Sequence, residues 1–164
     1  MIGRQEDALL RAYTGLEGGV VGSGSTCGVV TAGAMGLALL HESAIEEKGG
    51  AGVAAVLSLV GEYADWFEGR FGSCFCRKRI GVDFHTFTGQ VRHFIPGDKV
   101  GKCLWHSRGA VRHLHAHLHE DLPAMDVESY DAPGEPVHCA QAVLKRIREG
   151  TGMGDSLLER LSIS

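Results

Sequence analysis

The segment GSGSTCGVVTAGAMGLALL, residues 22–40, most constrains how this chain folds. Its glycines and serines form a loop, and the remainder is built almost wholly from small and apolar residues. Because Ser25 or Thr26 is a suitable N-cap, the pattern predicts a helix that runs from there to about His41. Small residues recur every four positions along this helix, a ridge that lets a neighbouring backbone approach closely: Gly28, Ala32 and Gly36.

The rest of the chain also spaces its apolar residues as helices do. The sequence predicts further helices from Val53 to about Phe71, from Asp98 to about Glu120 and from about Pro136 to Arg148, with short helical segments at both ends. Residues 71–98 are the least regular, and CFCRKRI within them suits either a short helix or a strand. No segment shows a convincing alternation of apolar and polar residues. The predicted fold is all-α, a helical bundle with one irregular cysteine-bearing loop.

The length of 164 residues suits one domain with its own core. We expect a single helical domain over residues 1–164. Within it, the proline- and acid-containing stretch 124–135 is predicted to be a surface linker, and residues 136–164 to form the C-terminal helices.

Charge and hydropathy argue against several classes of protein. The formal net charge is −4, and no basic patch with interleaved aromatic residues appears, so we expect no nucleic-acid partner. The N-terminal MIGRQEDALLRAY lacks the apolar core of a secretory signal. The longest apolar run, Val29 to Leu40, is too short to cross a bilayer. We expect a cytoplasmic protein that does not insert into a membrane.

Five cysteines, an odd number, favour metal binding or redox chemistry over a disulfide framework if the chain is intracellular. Cys27 and Cys139 each lie in the first turn of a predicted helix, where backbone N–H groups and the helix dipole lower the pKa of a thiol. Cys74 and Cys76 flank Phe75, and the cations that follow at 77–79 stabilise a thiolate. The alternative is that buried cysteines pack as small hydrophobic residues.

The predicted helix from Asp98 carries a stripe of cysteine and histidine beside its apolar face. That apolar face comprises Val100, Leu104, Val111, Leu114 and Leu118. The stripe on its shoulder comprises Cys103, His106, His113 and His117, whereas His115 and His119 fall on the solvent side. The stripe suits a metal such as zinc or iron, and a histidine cluster without any ligand is the alternative.

Four segments resemble parts of a family of redox-active proteins named for its cysteine pattern, C-GCAxxG-C-C. They are TCGVVTAGAMGLAL, FGSCFCRKRIGVD, GKCLWHSRGAVRHL and HCAQAVLKRI, and the second resembles an FGSxxCR segment that assigns Cys76 rather than Cys74. The resemblance implies a helical fold, a redox role near transporters or electron transfer, and four recurrent cysteines: Cys27, Cys76, Cys103 and Cys139. A related domain occurs joined to a c-type cytochrome, with its cysteines taken as an iron–sulfur site. This chain has no CxxCH, so covalent haem is not expected.

The order of these segments differs from the family's, in which the CAQAVL-type helix comes first. Here it comes last, and the tail GDSLLERLS echoes the head EDALLRAYT. A circular permutation, or excision from a tandem array, explains both observations. If the C-terminal helix docks into a second copy of the chain, it makes a symmetric homodimer.

Three functions therefore stand side by side. The first is electron transfer by an iron–sulfur cluster on Cys27, Cys76, Cys103 and Cys139, with zinc as the alternative metal and Cys74, His106, His113 and His117 as accessory ligands. The second is metal-free thiol–disulfide chemistry, as a redox protein or sensor, in which Cys27 or Cys139 attacks and Cys74 or Cys76 resolves. The third is a structural or partner-binding helical module. The partner expected for the first two is a redox protein, and one associated with a transporter is a candidate.

Overall fold

The computed structural model describes Arg11, residues 13–116, Leu122 and three helical positions, Val143, Arg146 and Glu149. Cys139, His117, the linker and most of the C-terminal helices lie outside the described residues, so the single-domain prediction and the exchanged helix stay predictions.

The described part of the chain is all-α, which confirms the predicted fold class. A 3-10 turn, Tyr13–Leu16, is followed by helices α1, Gly28–Leu40; α2, Glu42–Lys48; α3, Gly50–Phe71; α4, Cys76–Ile80; α5, Phe87–Phe94; and α6, Asp98–Ala116. The described residues contain no strand, and their one isolated β-bridge joins Thr26 to Phe75 in antiparallel fashion. CFCRKRI is therefore a helix that begins directly after a bridge residue.

Two short helices, α2 and α5, are absent from the sequence-based prediction. The chain bends after Leu40 and continues as α2 until Gly49, whose φ of +54° is favourable only for glycine, and α3 starts at Gly50 rather than Val53. Helix α5 is capped by Thr86, whose hydroxyl accepts a hydrogen bond from the backbone N–H of Gly89 at 3.0 Å. This cap lies in residues 71–98, the segment that the sequence analysis found least regular.

Contacts divide the described residues into two units, whose limits fall inside α1 and inside α3. One unit holds the residues up to Ala34 together with those from Val60 to Ala116, and the other holds Met35–Leu59. The first unit has Tyr63, Phe67 and Ile80 in its core, and the second has Met35, Ile45 and Val56. Helix α3 thus contributes three buried side chains, Val56, Tyr63 and Phe67.

Close packing on α1 occurs at Gly33 rather than at the predicted ridge of small residues. A Cβ atom at Gly33 would lie 2.4 Å from ring atoms of Tyr63, whose hydroxyl donates a hydrogen bond to the carbonyl oxygen of Val29 at 2.9 Å. A Cβ at Gly36 would meet no described atom within 4 Å, and one at Gly28 would meet only the Leu16 carbonyl oxygen at 3.5 Å. A backbone atom therefore does approach the ridge at Gly28, and at Gly36 the close approach stays a prediction.

The predicted apolar face of α6 is also wrong. Leu104 and Val111 are 67% and 65% exposed, whereas His106 and Ala110 are 1% and 2% exposed. The side of α6 that carries the cysteine–histidine stripe faces inward, because small residues on that side leave room for the aromatic side chains of α3. A Cβ at Gly109, for example, would lie 2.9 Å from the ring of Phe71.

Within the described residues, no single helix is both long and apolar enough to cross a membrane, although α1 and α2 taken together, with a bend between them, reach that length and composition.

Candidate functional site

A short antiparallel contact brings Cys27 to Cys74 and Cys76. Around the Thr26–Phe75 bridge, the backbone N–H of Cys27 donates to the carbonyl oxygen of Cys74 and that of Cys76 donates to the carbonyl oxygen of Ser25, both at 2.8 Å. Side chains alternate along extended chains, so the three cysteines lie on the side opposite to Phe75. Phe75 is 48% exposed, whereas Cys27 and Cys76 are 7% and 5% exposed.

Both buried cysteines of this contact stand at the starts of helices. Cys27 directly precedes α1, and its carbonyl oxygen accepts hydrogen bonds from the N–H groups of Val30 and Thr31 at 2.9 and 3.2 Å. Cys76 is the first residue of α4. The bridge therefore joins the beginnings of two helices, with a sulfur atom carried on each.

Cys103 reaches the same region from α6. It packs against a cluster of buried residues formed by Cys76, Ile80 and Val82. The first unit thus gathers Cys27, Cys76 and Cys103, three of the four cysteines predicted as site residues, from separate parts of the chain. The role of these cysteines as ligands stays a prediction.

Cys74 is held differently from its neighbour Cys76. Its thiol lies 3.4 Å from the carbonyl oxygen of Ala64 on α3, to which it donates a hydrogen bond. Cys74 is also only half-buried, whereas Cys76 is buried among apolar side chains. This difference is consistent with the assignment of Cys76 rather than Cys74 to the site.

The four described cysteines are free thiols, and the pKa is raised for three of them. Burial raises the pKa of Cys76 to about 11, and negative charge on Cys27 and Cys103 adds to the shift. Burial likewise raises the pKa values of Cys74 and Cys103, and negative charge on Cys27 contributes to both shifts. Burial therefore outweighs the nearby cations, and the prediction that those cations leave Cys76 as a stabilised thiolate is wrong in direction.

Only one of the three cations that follow Cys76 points inward. Arg77 is exposed and donates to the Ser23 carbonyl oxygen at 3.0 Å, and Lys78 lies 5.4 Å from the ring centre of Phe75. Arg79 is 4% exposed, and its charge lowers the pKa values of Cys74, Cys76 and Cys103 against the effect of burial. The sequence analysis did not single out Arg79, because a run of three cations suggests solvent-exposed side chains. Its i+3 spacing from Cys76 nevertheless places both residues on one face of a helix.

Arg79 is surrounded by aromatic rings and histidine. Its Nη2 atom contacts Nδ1 of His106, while Nε and Nη1 have no hydrogen-bond partner among the described residues. The guanidinium carbon lies 4.6 Å from the ring centre of Phe67. A full positive charge is therefore held beside the thiols in an apolar environment.

The predicted accessory histidines have other contacts. His106 lies with its ring centre 4.4 Å from that of Phe71, and His113 stacks on Trp66 with ring centres 3.7 Å apart. Among the residues that the structure describes, no group of three or more His, Cys, Asp or Glu side chains is arranged to hold a metal ion. By their chemistry, three thiols beside a cation are suitable ligands for an iron–sulfur cluster, which carries negative charge when thiolates bind it.

The family model described as "Putative redox-active protein (C_GCAxxG_C_C)" matches residues 1–104, which include Cys27, Cys74, Cys76 and Cys103. The chain belongs to this family. No curated protein and no solved structure matches it. Membership in the C_GCAxxG_C_C family makes this a redox-active protein by the family's description, and the matched range ends one residue after Cys103 and excludes Cys139.

Proposed function

We propose that this protein carries out thiol–disulfide chemistry, with Cys27 and Cys76 as the reacting pair. The observation that carries the proposal is the Thr26–Phe75 bridge, which holds the two buried cysteines on one side of a two-segment contact. The hydrogen bonds around the bridge pair Cys27 with Cys74 and Ser25 with Cys76, so Cys76 is the diagonal neighbour of Cys27, with Cα atoms about 7–8 Å apart. A disulfide between Cys27 and Cys76 therefore needs a small shift of the backbone where α1 and α4 begin.

The roles of the two cysteines follow from their surroundings. Cys27 directly precedes the N-terminus of a thirteen-residue helix. Cys76 is buried and its pKa is raised, so it stays protonated until it is attacked or oxidised. We assign Cys27 as the attacking thiol and Cys76 as the resolving thiol. The partner would be a redox protein that presents a dithiol or a disulfide.

The pair is tested by counting thiols after oxidation. The full chain is oxidised with excess cyclic disulfide, denatured and titrated with a thiol reagent. Of the five cysteines, we expect two to be lost, because one disulfide forms. Cys27→Ser and Cys76→Ser should each retain all their remaining thiols, whereas the matched Cys74→Ser should still lose two. Loss of two thiols in Cys27→Ser would contradict the assignment.

A second candidate is electron transfer by an iron–sulfur cluster on Cys27, Cys76, Cys103 and Cys139. The gathering of three thiols beside the buried charge of Arg79 favours it, because thiolate-bound clusters carry negative charge. Zinc on the same thiols is the alternative metal. Anaerobic purification followed by iron, sulfide and zinc analysis separates these outcomes. Stoichiometric iron with visible absorption would replace the dithiol proposal, and metal-free protein would support it.

A further inference from the structure

Helix α5 presents its apolar side chains to solvent. Phe87, Val91 and Phe94 follow one another at i, i+4 and i+7, so they share one face of the helix, and they are 80%, 39% and 67% exposed. The opposite side of α5 faces the first unit, because a Cβ atom at the buried Gly89 would clash with the carbonyl oxygen of Asp83. The helix therefore packs on the unit by its small and polar side.

Helix α6, which packs against α5, also has apolar side chains on its outward face. Leu104, Trp105 and Val111 are 67%, 52% and 65% exposed, whereas the inward face holds the buried His106 and Ala110. The apolar side of an amphipathic helix in a globular protein ordinarily faces the core. Two neighbouring helices with the opposite orientation indicate a surface that binds something apolar.

The same stretch of the chain is basic. Residues 76–116 contain eight Lys or Arg and only two Asp or Glu, although the formal net charge of the whole chain is −4. Arg108 and Arg112 are exposed, and at about 100° per residue they fall between Leu104 and Trp105 on the outward face of α6. This face therefore interleaves apolar and positively charged side chains, an excess of cations that the net charge of the chain conceals.

Charge indicates what kind of occupant this face fits. A second copy of the face would bring like charges together, which disfavours a symmetric dimer through it. The predicted C-terminal helix has more cations than acids in its last turns, Lys145, Arg146 and Arg148 against Glu149, so it is not complementary either. The surface of an anionic bilayer offers what the face needs, because headgroups attract Lys and Arg while the acyl boundary accepts Phe, Trp and Leu.

We propose that the outward faces of α5 and α6 bind the surface of a membrane that contains anionic phospholipid. The two helices lie in the headgroup region without spanning the bilayer. Phe87, Phe94 and Trp105 enter the acyl boundary, and Arg108 and Arg112 contact lipid phosphates. The inference does not depend on the thiol–disulfide function, because none of these residues belongs to the thiol site.

The experiment measures sedimentation of the full-length chain with vesicles of phosphatidylglycerol and phosphatidylcholine in equal parts, and with vesicles of phosphatidylcholine alone. We expect the wild type to bind the anionic vesicles more tightly, and added salt to weaken this binding because exposed charges are screened. Tryptophan fluorescence should shift to shorter wavelength when anionic vesicles are added. The shift should be absent in Trp105→Phe, which keeps only Trp66, stacked on His113.

Substitutions on the face separate the contributions of charge and apolar area. Arg108→Gln should weaken binding about fivefold, the effect typical of one cation at an anionic surface, and Arg108→Lys should bind as the wild type does. Phe87→Ser and Phe94→Ser should each weaken binding about tenfold, because each removes a large apolar side chain from the acyl boundary. Lys48→Gln and Leu57→Ser replace an exposed cation and an exposed apolar side chain of the second unit. They are the matched controls and should leave binding unchanged.

Several outcomes would overturn the inference. One is a wild type that does not sediment with anionic vesicles, and another is equal weakening by the control variants. Tighter binding to polyglutamate or to a DNA oligonucleotide than to vesicles would assign the face to an acidic protein or a nucleic acid. A dimer that Phe87→Ser and Phe94→Ser convert to a monomer would assign it to a second copy. A chain that binds vesicles but forms no disulfide would contradict the proposed function and support this inference.

Discussion

Burial acts on Cys76 and Arg79, one helical turn apart on α4, with different consequences. Both side chains are about 5% exposed, at 5% and 4%. A low-dielectric environment disfavours the charged form of any group, so the Cys76 thiol keeps its proton to higher pH. Arginine has no accessible neutral form, so Arg79 bears the unfavourable energy of its charge.

Replacing Arg79 with methionine should therefore stabilise the reduced protein. Methionine fills a similar volume and removes two buried nitrogen atoms that have no partner in the part of the chain that the structure describes, and an unsatisfied buried polar group carries a penalty of about 1–3 kcal/mol. We expect the free energy of unfolding to rise by about 1–3 kcal/mol in urea denaturation. Lys78→Met, at an exposed position, should leave it unchanged. A marked destabilisation by Arg79→Met would mean that the contacts of Arg79 with His106 and Phe67 stabilise the protein by more than its unpaired nitrogen atoms destabilise it.

The raised pKa of Cys76 predicts a loss of stability in alkaline solution. Its pKa is about 11 in the folded protein against an ordinary value of 9.0, so between these values the unfolded chain releases a proton that the folded chain retains. The free energy of unfolding should thus be unaffected by Cys76 below pH 9 and fall as the pH rises towards 11. Denaturation across this range should show a shallower decline in Cys76→Ala. Parallel curves for the two proteins would contradict the assignment of the decline to Cys76. Tyr63 also titrates at high pH, but it is present in both proteins and does not affect the comparison.

At the scale of elements, the first unit depends on how closely α1 approaches α3. The ring of Tyr63 occupies the space that a side chain at Gly33 would fill, and its hydroxyl is tied to the Val29 carbonyl oxygen. This contact positions the start of α1, and hence Cys27, relative to the segment that carries Cys74 and Cys76.

Gly33→Ala should consequently destabilise the protein, whereas Gly36→Ala should not. A Cβ 2.4 Å from the Tyr63 ring forces one of the elements to move, and overpacking of this kind costs about 1–3 kcal/mol. At Gly36 no described atom lies within 4 Å, and replacing glycine by alanine inside a helix stabilises it by about 0.5–1 kcal/mol. Thermal or urea unfolding of the two variants measures the contrast. Equal effects would show that Tyr63 does not pack on Gly33.

At the scale of the whole molecule, the chain between Cys27 and Cys76 passes through both units. It leaves the first unit after Ala34, forms the described residues of the second, and returns at Val60. A disulfide between the two cysteines would close this long loop and restrict the unfolded chain.

The oxidised protein should therefore be more stable than the reduced one, by about 2–4 kcal/mol according to loop-closure entropy. Urea unfolding with and without a dithiol would measure the difference. In Cys27→Ser the oxidised and reduced samples should unfold at the same urea concentration. A wild type that is less stable when oxidised would argue against a Cys27–Cys76 disulfide.

The exchanged C-terminal helix also belongs to this scale and stays a prediction. If it docks into a second copy, light scattering should give the mass of a dimer at all concentrations where the chain is folded. A monomer would contradict it.

The sequence by itself determined the longer helices, because their apolar periodicity, caps and terminal glycines are local. It placed α1, α3 and the described part of α6 within a few residues, and it marked Cys27, Cys76 and Cys103 through motifs that lie within the range the family model matches. It could not determine which shoulder of α6 faces inward. That depends on Phe71 filling the space over Gly109, a contact between residues far apart in the chain. Only the tertiary structure separated Arg79 from Arg77 and Lys78, because burial of a cation is a property of the surrounding helices and not of its own segment.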